Sequence, residues 1–217
     1  GAHANNNLDI QEFMIVPYGA NSFSDSLRMG IEVFYALKTI LTEKNYITSV
    51  GDEGGFAPSL KSNIEALELL MQAIEKANYK PGEQIGLALD AAASEFFKNE
   101  LYTFKKSDNS KKTSDEMIDF YQTLLKNFPI VSIEDPMSEE DFDGWKKITQ
   151  ILGNKVQIVG DDVFVTNRKM LIDGIKNKIA NAILIKPNQI GTLTQTFQTI
   201  EIAKKADYKY VVSHRSG

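Results

Sequence analysis

Residues 130–136 read Ile130-Val131-Ser132-Ile133-Glu134-Asp135-Pro136, a short apolar run that breaks off into two acids and a proline. A run of this kind fits a strand buried on both faces, as in a parallel sheet covered by helices, better than a half-exposed strand. The pattern recurs. Strand candidates at 85–89, 156–159, 182–185 and 210–213 stop at Asp90, Asp161-Asp162, Lys186 and His214-Arg215. A further candidate spans 9–16. From Glu134 onward the stops lie roughly 25–30 residues apart, about one strand–helix unit. The wider gap after Asp90 leaves room for an added loop or hairpin in the polar stretch 98–112.

Helical patterns fill the intervals. Leu27, Ile31, Phe34, Leu37 and Leu41 mark one amphipathic helix, and Ile64, Leu67, Met71, Ile74 and Ala77 a second. The second opens on Ser62-Asn63-Ile64-Glu65, a capping-box sequence, and Thr113-Ser114-Asp115-Glu116 repeats that signal before the helix 117–126. Leu193, Phe197, Ile200 and Lys204 mark the last helix. Strands alternating with helices predict an α/β fold. Six strand candidates fall short of eight, so the expectation is an incomplete (β/α) TIM-like barrel with strands missing at both ends. An open doubly wound sheet is the alternative. Both ends of the chain read as cut, and residues 1–217 form one partial domain.

In either arrangement the strand ends meet at a single mouth, where α/β proteins place their sites. Asp90, Glu134 and Asp161 would repel one another there unless a cation offset their charge. Hard oxygen ligands without cysteine suit Mg²⁺ or Mn²⁺, not zinc. Lys186, His214 and Arg215 suit an anionic substrate beside that metal. Metal, cation and base together suit proton abstraction α to a carboxylate, and a lysine near a metal and other cations can have its pKa lowered towards the working range of a general base. Gly51-Asp52-Glu53-Gly54-Gly55 reads as a flexible turn. Most such turns are solvated connections, but this mobility also suits a segment that closes over a ligand.

Composition narrows the function classes. The chain has 217 residues, of which 42% are hydrophobic and 24% charged, as in ordinary globular proteins. A net charge of −5 argues against nucleic acid as a partner. No apolar run approaches the roughly 20 residues of a membrane span. There is no cysteine, which removes disulfides and thiolate ligands and suits a reducing cytosol.

The ordered blocks Gly1-Ala2-His3-Ala4-Asn5-Asn6, Gln11-Glu12-Phe13-Met14, Val50-Gly51-Asp52-Glu53-Gly54-Gly55-Phe56-Ala57-Pro58 and Leu89-Asp90-Ala91-Ala92-Ala93-Ser94-Glu95 carry a family resemblance. They continue through Ser132-Ile133-Glu134-Asp135-Pro136, Gly160-Asp161-Asp162 with Val165-Thr166-Asn167, Lys186-Pro187-Asn188-Gln189-Ile190-Gly191 and Ser213-His214-Arg215-Ser216-Gly217. Over essentially its whole length the chain resembles enolase, the lyase that interconverts 2-phosphoglycerate with phosphoenolpyruvate and water. The resemblance implies Asp90, Glu134 and Asp161 as Mg²⁺ ligands, Lys186 as the base, and Glu53 as the acid with Glu12 beside it. It implies substrate contacts from His3, Gln11, His214, Arg215 and Ser216, joined by Glu134, Asp161 and Lys186. It further implies a homodimeric, cytoplasmic glycolytic parent, with a cell-surface or secreted pool as some enolases have.

Set against that family, an N-terminal capping domain and a final barrel segment are missing, so the chain alone is expected to be inactive. Asn78 and Asp207 stand where family members often have glycine, which predicts left-handed backbone at both. Two alternatives stay open: another enolase-superfamily dehydratase, and a non-catalytic surface-binding or structural role.

Overall fold

The structure is a computed structural model and describes residues 6–215. The elements run β1 (Glu12–Val16), α1 (Phe23–Glu43), α2 (Asn63–Lys76), β2 (Gly86–Asp90), β3 (Phe97–Lys98), β4 (Leu101–Thr103) and β5 (Lys111–Lys112). They continue with α3 (Ser114–Asn127), β6 (Ile130–Glu134), α4 (Phe142–Leu152), β7 (Gln157–Gly160), α5 (Arg168–Asn177), β8 (Ala182–Ile185), α6 (Pro187–Ile190), α7 (Leu193–Lys205) and β9 (Lys209–Val212). The main sheet has six strands in the order β1-β2-β6-β7-β8-β9, curled into a half-barrel. Strand order follows chain order throughout. A doubly wound sheet would reverse its order at a switch point, so the barrel expectation holds.

One strand runs against the expected parallel sheet. β1 pairs antiparallel with β2, Glu12 facing Asp90 and Val16 facing Gly86. All other pairings in this sheet are parallel. Two helices separate β1 from β2, so the chain returns with reversed polarity. The strand also begins at Glu12, not Asp9. Strand direction leaves no trace in side-chain periodicity, whereas it decides which end of β1 meets the mouth. The polar stretch after Asp90 holds the small antiparallel sheet β3-β4-β5, resolving the loop-or-hairpin alternative in favour of strands.

The core lies between the convex side of the sheet and its helices. Leu87, Leu89, Ile133, Ile158 and Ile183 are fully buried there against residues such as Leu67, Ile74, Met117 and Trp145. Val159, Ala182 and Leu184 make a smaller cluster. Alternation along β8 separates Ala182 and Leu184 from Ile183 and Ile185, so the small cluster belongs to the opposite, concave face.

The buried faces of α1 and α7 differ from expectation, and that of α2 departs from it at one residue. In α1 the buried residues are Met29, Val33, Ile40 and Leu41, while Leu27 and Ile31 are exposed. In α2 the expected Leu67 and Ile74 are buried and Met71 and Ala77 pack against the core, and only Ile64 lies outside. In α7 it is Thr196, Thr199 and Ala203, with Leu193 and Phe197 outside. Small side chains let a helix approach the sheet closely, and proximity to the sheet selects the buried stripe over mean apolarity.

Capping also splits. Thr113 and Glu116 form the full reciprocal box. Ser62 accepts from Glu65 N, but Glu65 bonds the amide of Lys61 and the hydroxyl of Tyr46 instead of returning to Ser62. Asn78 and Asp207 both adopt positive φ, 63° and 58°, as their glycine-like positions imply. Among the described residues no helix is long and apolar enough to cross a membrane.

Candidate metal and acid–base site

The reversed polarity of β1 brings its first residues to the end where the parallel strands finish. Gln11 and Glu12 therefore stand beside Asp90, the last residue of β2. The Gln11 amide donates to Asp90 Oδ2 (2.9 Å), and the Ala92 N–H donates to Oδ1 (2.9 Å). Glu134 ends β6, Asp161 follows β7, and Lys186 follows β8. The Lys186 amine forms an ion pair with Asp161 Oδ2, both side chains being largely buried.

The backbone bends sharply after each acidic strand end. Ala92, Asp135, Val165 and Thr166 adopt positive φ of 44°, 39°, 44° and 57°. Non-glycine residues enter this region at a cost, and such strain concentrates at functional sites. At Asp135 the purpose is visible. The residue is 4% exposed, and its carboxylate accepts from Asp161 N and Asp162 N, each at 2.9 Å. Asp135 thus holds the backbone that presents Asp161. Sequence reasoning passed over it as the second half of an acidic dipeptide. The available signal was that consecutive strand residues point oppositely, so Glu134 and Asp135 could not share one role.

Crowded charge leaves its mark. Burial, followed by the charge of Glu12, raises the Asp90 carboxyl to about 7. Burial, then Asp90 and Asp135, raises Glu134 to about 10. Glu12 is raised as well, first by burial and then by Glu53. Lys186 runs opposite to the lowered value expected: burial depresses its pKa, but the hydrogen bond and charge of Asp161, with Glu134, outweigh this and raise it. Asp161 attracts the ammonium more strongly than desolvation disfavours it.

The residues fit a hard divalent cation. The donors are carboxylate oxygens with excess negative charge, and Asp161 Oδ1 is buried without a hydrogen-bond partner among the described residues. The tightest carboxylate group is Asp135, Asp161 and Asp162, whose oxygens lie within 4.8 Å of one another. Both Asp135 oxygens are already engaged by backbone N–H groups, so this trio offers fewer free lone pairs than its spacing suggests. Asp90 is close enough to Glu134 to raise its pKa, but the two do not join Asp161 in so tight a group.

Glu53 sits in a tighter turn than its glycines predict. Val50 bridges Phe56, Gly51 N donates to Gly55 O (2.9 Å), and Gly54 takes φ 79°. Phe56 stacks on Phe34 of α1 at 4.4 Å, fixing the turn to the helix. From the opposite sheet edge, His214 Nε2 reaches Glu53 Oε2 at 3.1 Å. Arg215 lies near enough to affect Lys186. A cavity of about 420 Å³ lies beside β1, lined mostly by apolar side chains and also by Gln11, Glu12 and Glu53. His3 and Ser216 lie outside the described residues.

The arrangement therefore pairs a buried acidic pocket holding an amine with a rim carrying a carboxyl group and an imidazole. Compared with known families, residues 1–217 match the one described as enolase, C-terminal TIM barrel domain, and the chain belongs to that family.

Proposed function

We propose that the intact protein is a Mg²⁺-dependent lyase that reversibly dehydrates 2-phosphoglycerate to phosphoenolpyruvate. The observation that carries this reading is the convergence of strand-end carboxylates, Lys186 and the Glu53–His214 pair at one mouth. Asp90, Glu134 and Asp161 would hold the metal. When bound, Mg²⁺ supplies positive charge that stabilises the substrate carboxylate as electrons move onto it. Lys186, neutral once its ion pair with Asp161 is broken and its extra proton lost to solvent, would take the proton from the carbon α to that carboxylate. Glu53 protonates the departing hydroxyl, and His214 holds the Glu53 carboxyl in place across the rim. Gln11 orients Asp90. Glu12 adds a second carboxyl near Glu53. His3, Arg215 and Ser216 complete the anion contacts in this reading.

Family membership supports a homodimeric cytoplasmic parent. The chain by itself is proposed to be a poor catalyst. Among the described residues β1 and β9 are the edge strands of the six-stranded sheet, and the Glu53 and His214 side chains remain 40% and 66% exposed. Water at that rim weakens the electrostatics on which the reaction depends. The test is phosphoenolpyruvate formation from 2-phosphoglycerate by the full-length protein, with and without Mg²⁺, beside acid sugars as competing substrates. Turnover of acid sugars but not 2-phosphoglycerate would assign a different dehydratase.

A further inference from the structure

The Val165-Thr166-Asn167 block follows Asp161 and takes no part in the chemistry above. Its geometry is costly. Val165 and Thr166 are β-branched, yet both adopt positive φ, 44° and 57°. Branched side chains rarely enter this region, and two in succession need a compensating set of contacts. The turn opens on Asp161, whose carbonyl accepts from Phe164 N (3.0 Å) and Val165 N (2.7 Å). It closes on Asn167, which caps α5 by accepting from Lys169 N (2.9 Å).

Thr166, between them, is fully buried. Its hydroxyl accepts from the backbone N–H of Lys186 at 2.9 Å and lies 3.0 Å from Gln189 Oε1, toward which it donates. Its carbonyl oxygen lies 2.9 Å from the Thr199 hydroxyl of α7, whose helical alternative is Gln195 O at 3.0 Å. Lys186 is the last extended residue before Pro187, beyond the β7–β8 pairing of Val159 with Ala182 and Gly160 with Ile183. Its N–H therefore finds a side-chain acceptor where the ladder has ended. A helical turn at Thr166 would direct the hydroxyl and the carbonyl differently. The strained turn directs the hydroxyl to β8 and the carbonyl to α7.

We infer that Thr166 is a positioning residue for Lys186. It fixes the backbone at Lys186 so that the amine reaches the Asp161 carboxylate from the neighbouring strand end. One turn thus starts from the acid and holds the base. The functional side of this inference rests on the reading of Lys186 as the base; the structural side does not.

Amide hydrogen exchange by NMR on the metal-free chain separates the two. In Thr166→Val, which keeps the branched shape, the Lys186 amide should exchange about tenfold faster while β2 and α3 amides are unchanged. Thr166→Ser should restore protection. Unchanged exchange at Lys186, or an equal loss across all elements, would overturn the inference. Should Thr166→Val fail to fold, Thr199→Val removes only the carbonyl contact and should raise Lys186 exchange about threefold; no change there also counts against it. In the full-length protein, Thr166→Val should lower kcat with KM retained, and an unchanged kcat would refute the positioning role. Absence of turnover in the wild type refutes the reaction assignment instead, leaving the exchange result to stand by itself.

Discussion

The inner half of the site and its rim are built on different principles. Asp90, Asp135 and Asp161 are each no more than 7% exposed and are held by backbone N–H groups, by Gln11 or by Lys186. Glu53 and His214 come from loops near opposite edges of the sheet and meet through one exposed contact of 3.1 Å. Charge inside is costly and must be organised by the fold. At the rim, water screens it, so geometry depends on what closes over the loops. The inner half is therefore preorganised and sensitive to ionisation, and the rim is neither.

Removing the inner cation should have the largest effect on stability. Lys186→Met leaves Asp161 buried among other acids without its partner, and the metal-free chain should lose about 3 kcal/mol in urea unfolding. Saturating Mg²⁺ should recover part of that loss by binding the folded form.

The pH dependence of the metal-free chain is the next test. Asp90 ionises near its ordinary value when unfolded but near 7 when folded, so the folded state holds the extra proton between these limits. Stability is therefore full at low pH and falls as pH rises from about 4 towards 7, with Glu134 extending the decline higher. Urea midpoints should be higher at pH 5.5 than at pH 8. Equal midpoints would mean the acids are not buried together.

The same shifts predict that Mg²⁺ binding at pH 7 releases roughly one proton, because ligand carboxyls must ionise to coordinate. Calorimetry in buffers of different ionisation enthalpy measures it; zero release would contradict the raised values. The rim should respond least. His214→Ala ought to cost under about 1 kcal/mol and leave Mg²⁺ affinity within about twofold, since exposed pairs contribute little.

Sequence alone revealed the inner half more readily than the rest. An apolar run ending in an acid marks a buried strand and its mouth together, and β8 even matched residue for residue. Three things were hidden. The direction of β1 is not encoded in its side chains, though it alone brings Gln11 and Glu12 to Asp90. The buried faces of α1 and α7 depend on which stripe meets the sheet, and for α7 that stripe is Thr196, Thr199 and Ala203. The tasks of Asp135 and Thr166 depend on distances to residues 20 or more positions away, which no local pattern contains. The place of Lys186 at the end of β8 was legible, but the sign of its perturbation followed from a partner only the fold supplies.

The decisive measurement is calorimetric Mg²⁺ affinity of Glu134→Gln beside Asp162→Asn. A metal held by Asp90, Glu134 and Asp161 predicts that Glu134→Gln weakens binding at least about a hundredfold while Asp162→Asn stays within a few-fold of wild type. Loss of binding in Asp162→Asn with Glu134→Gln unaffected would place the metal in the Asp135–Asp161–Asp162 group and contradict the strand-end site.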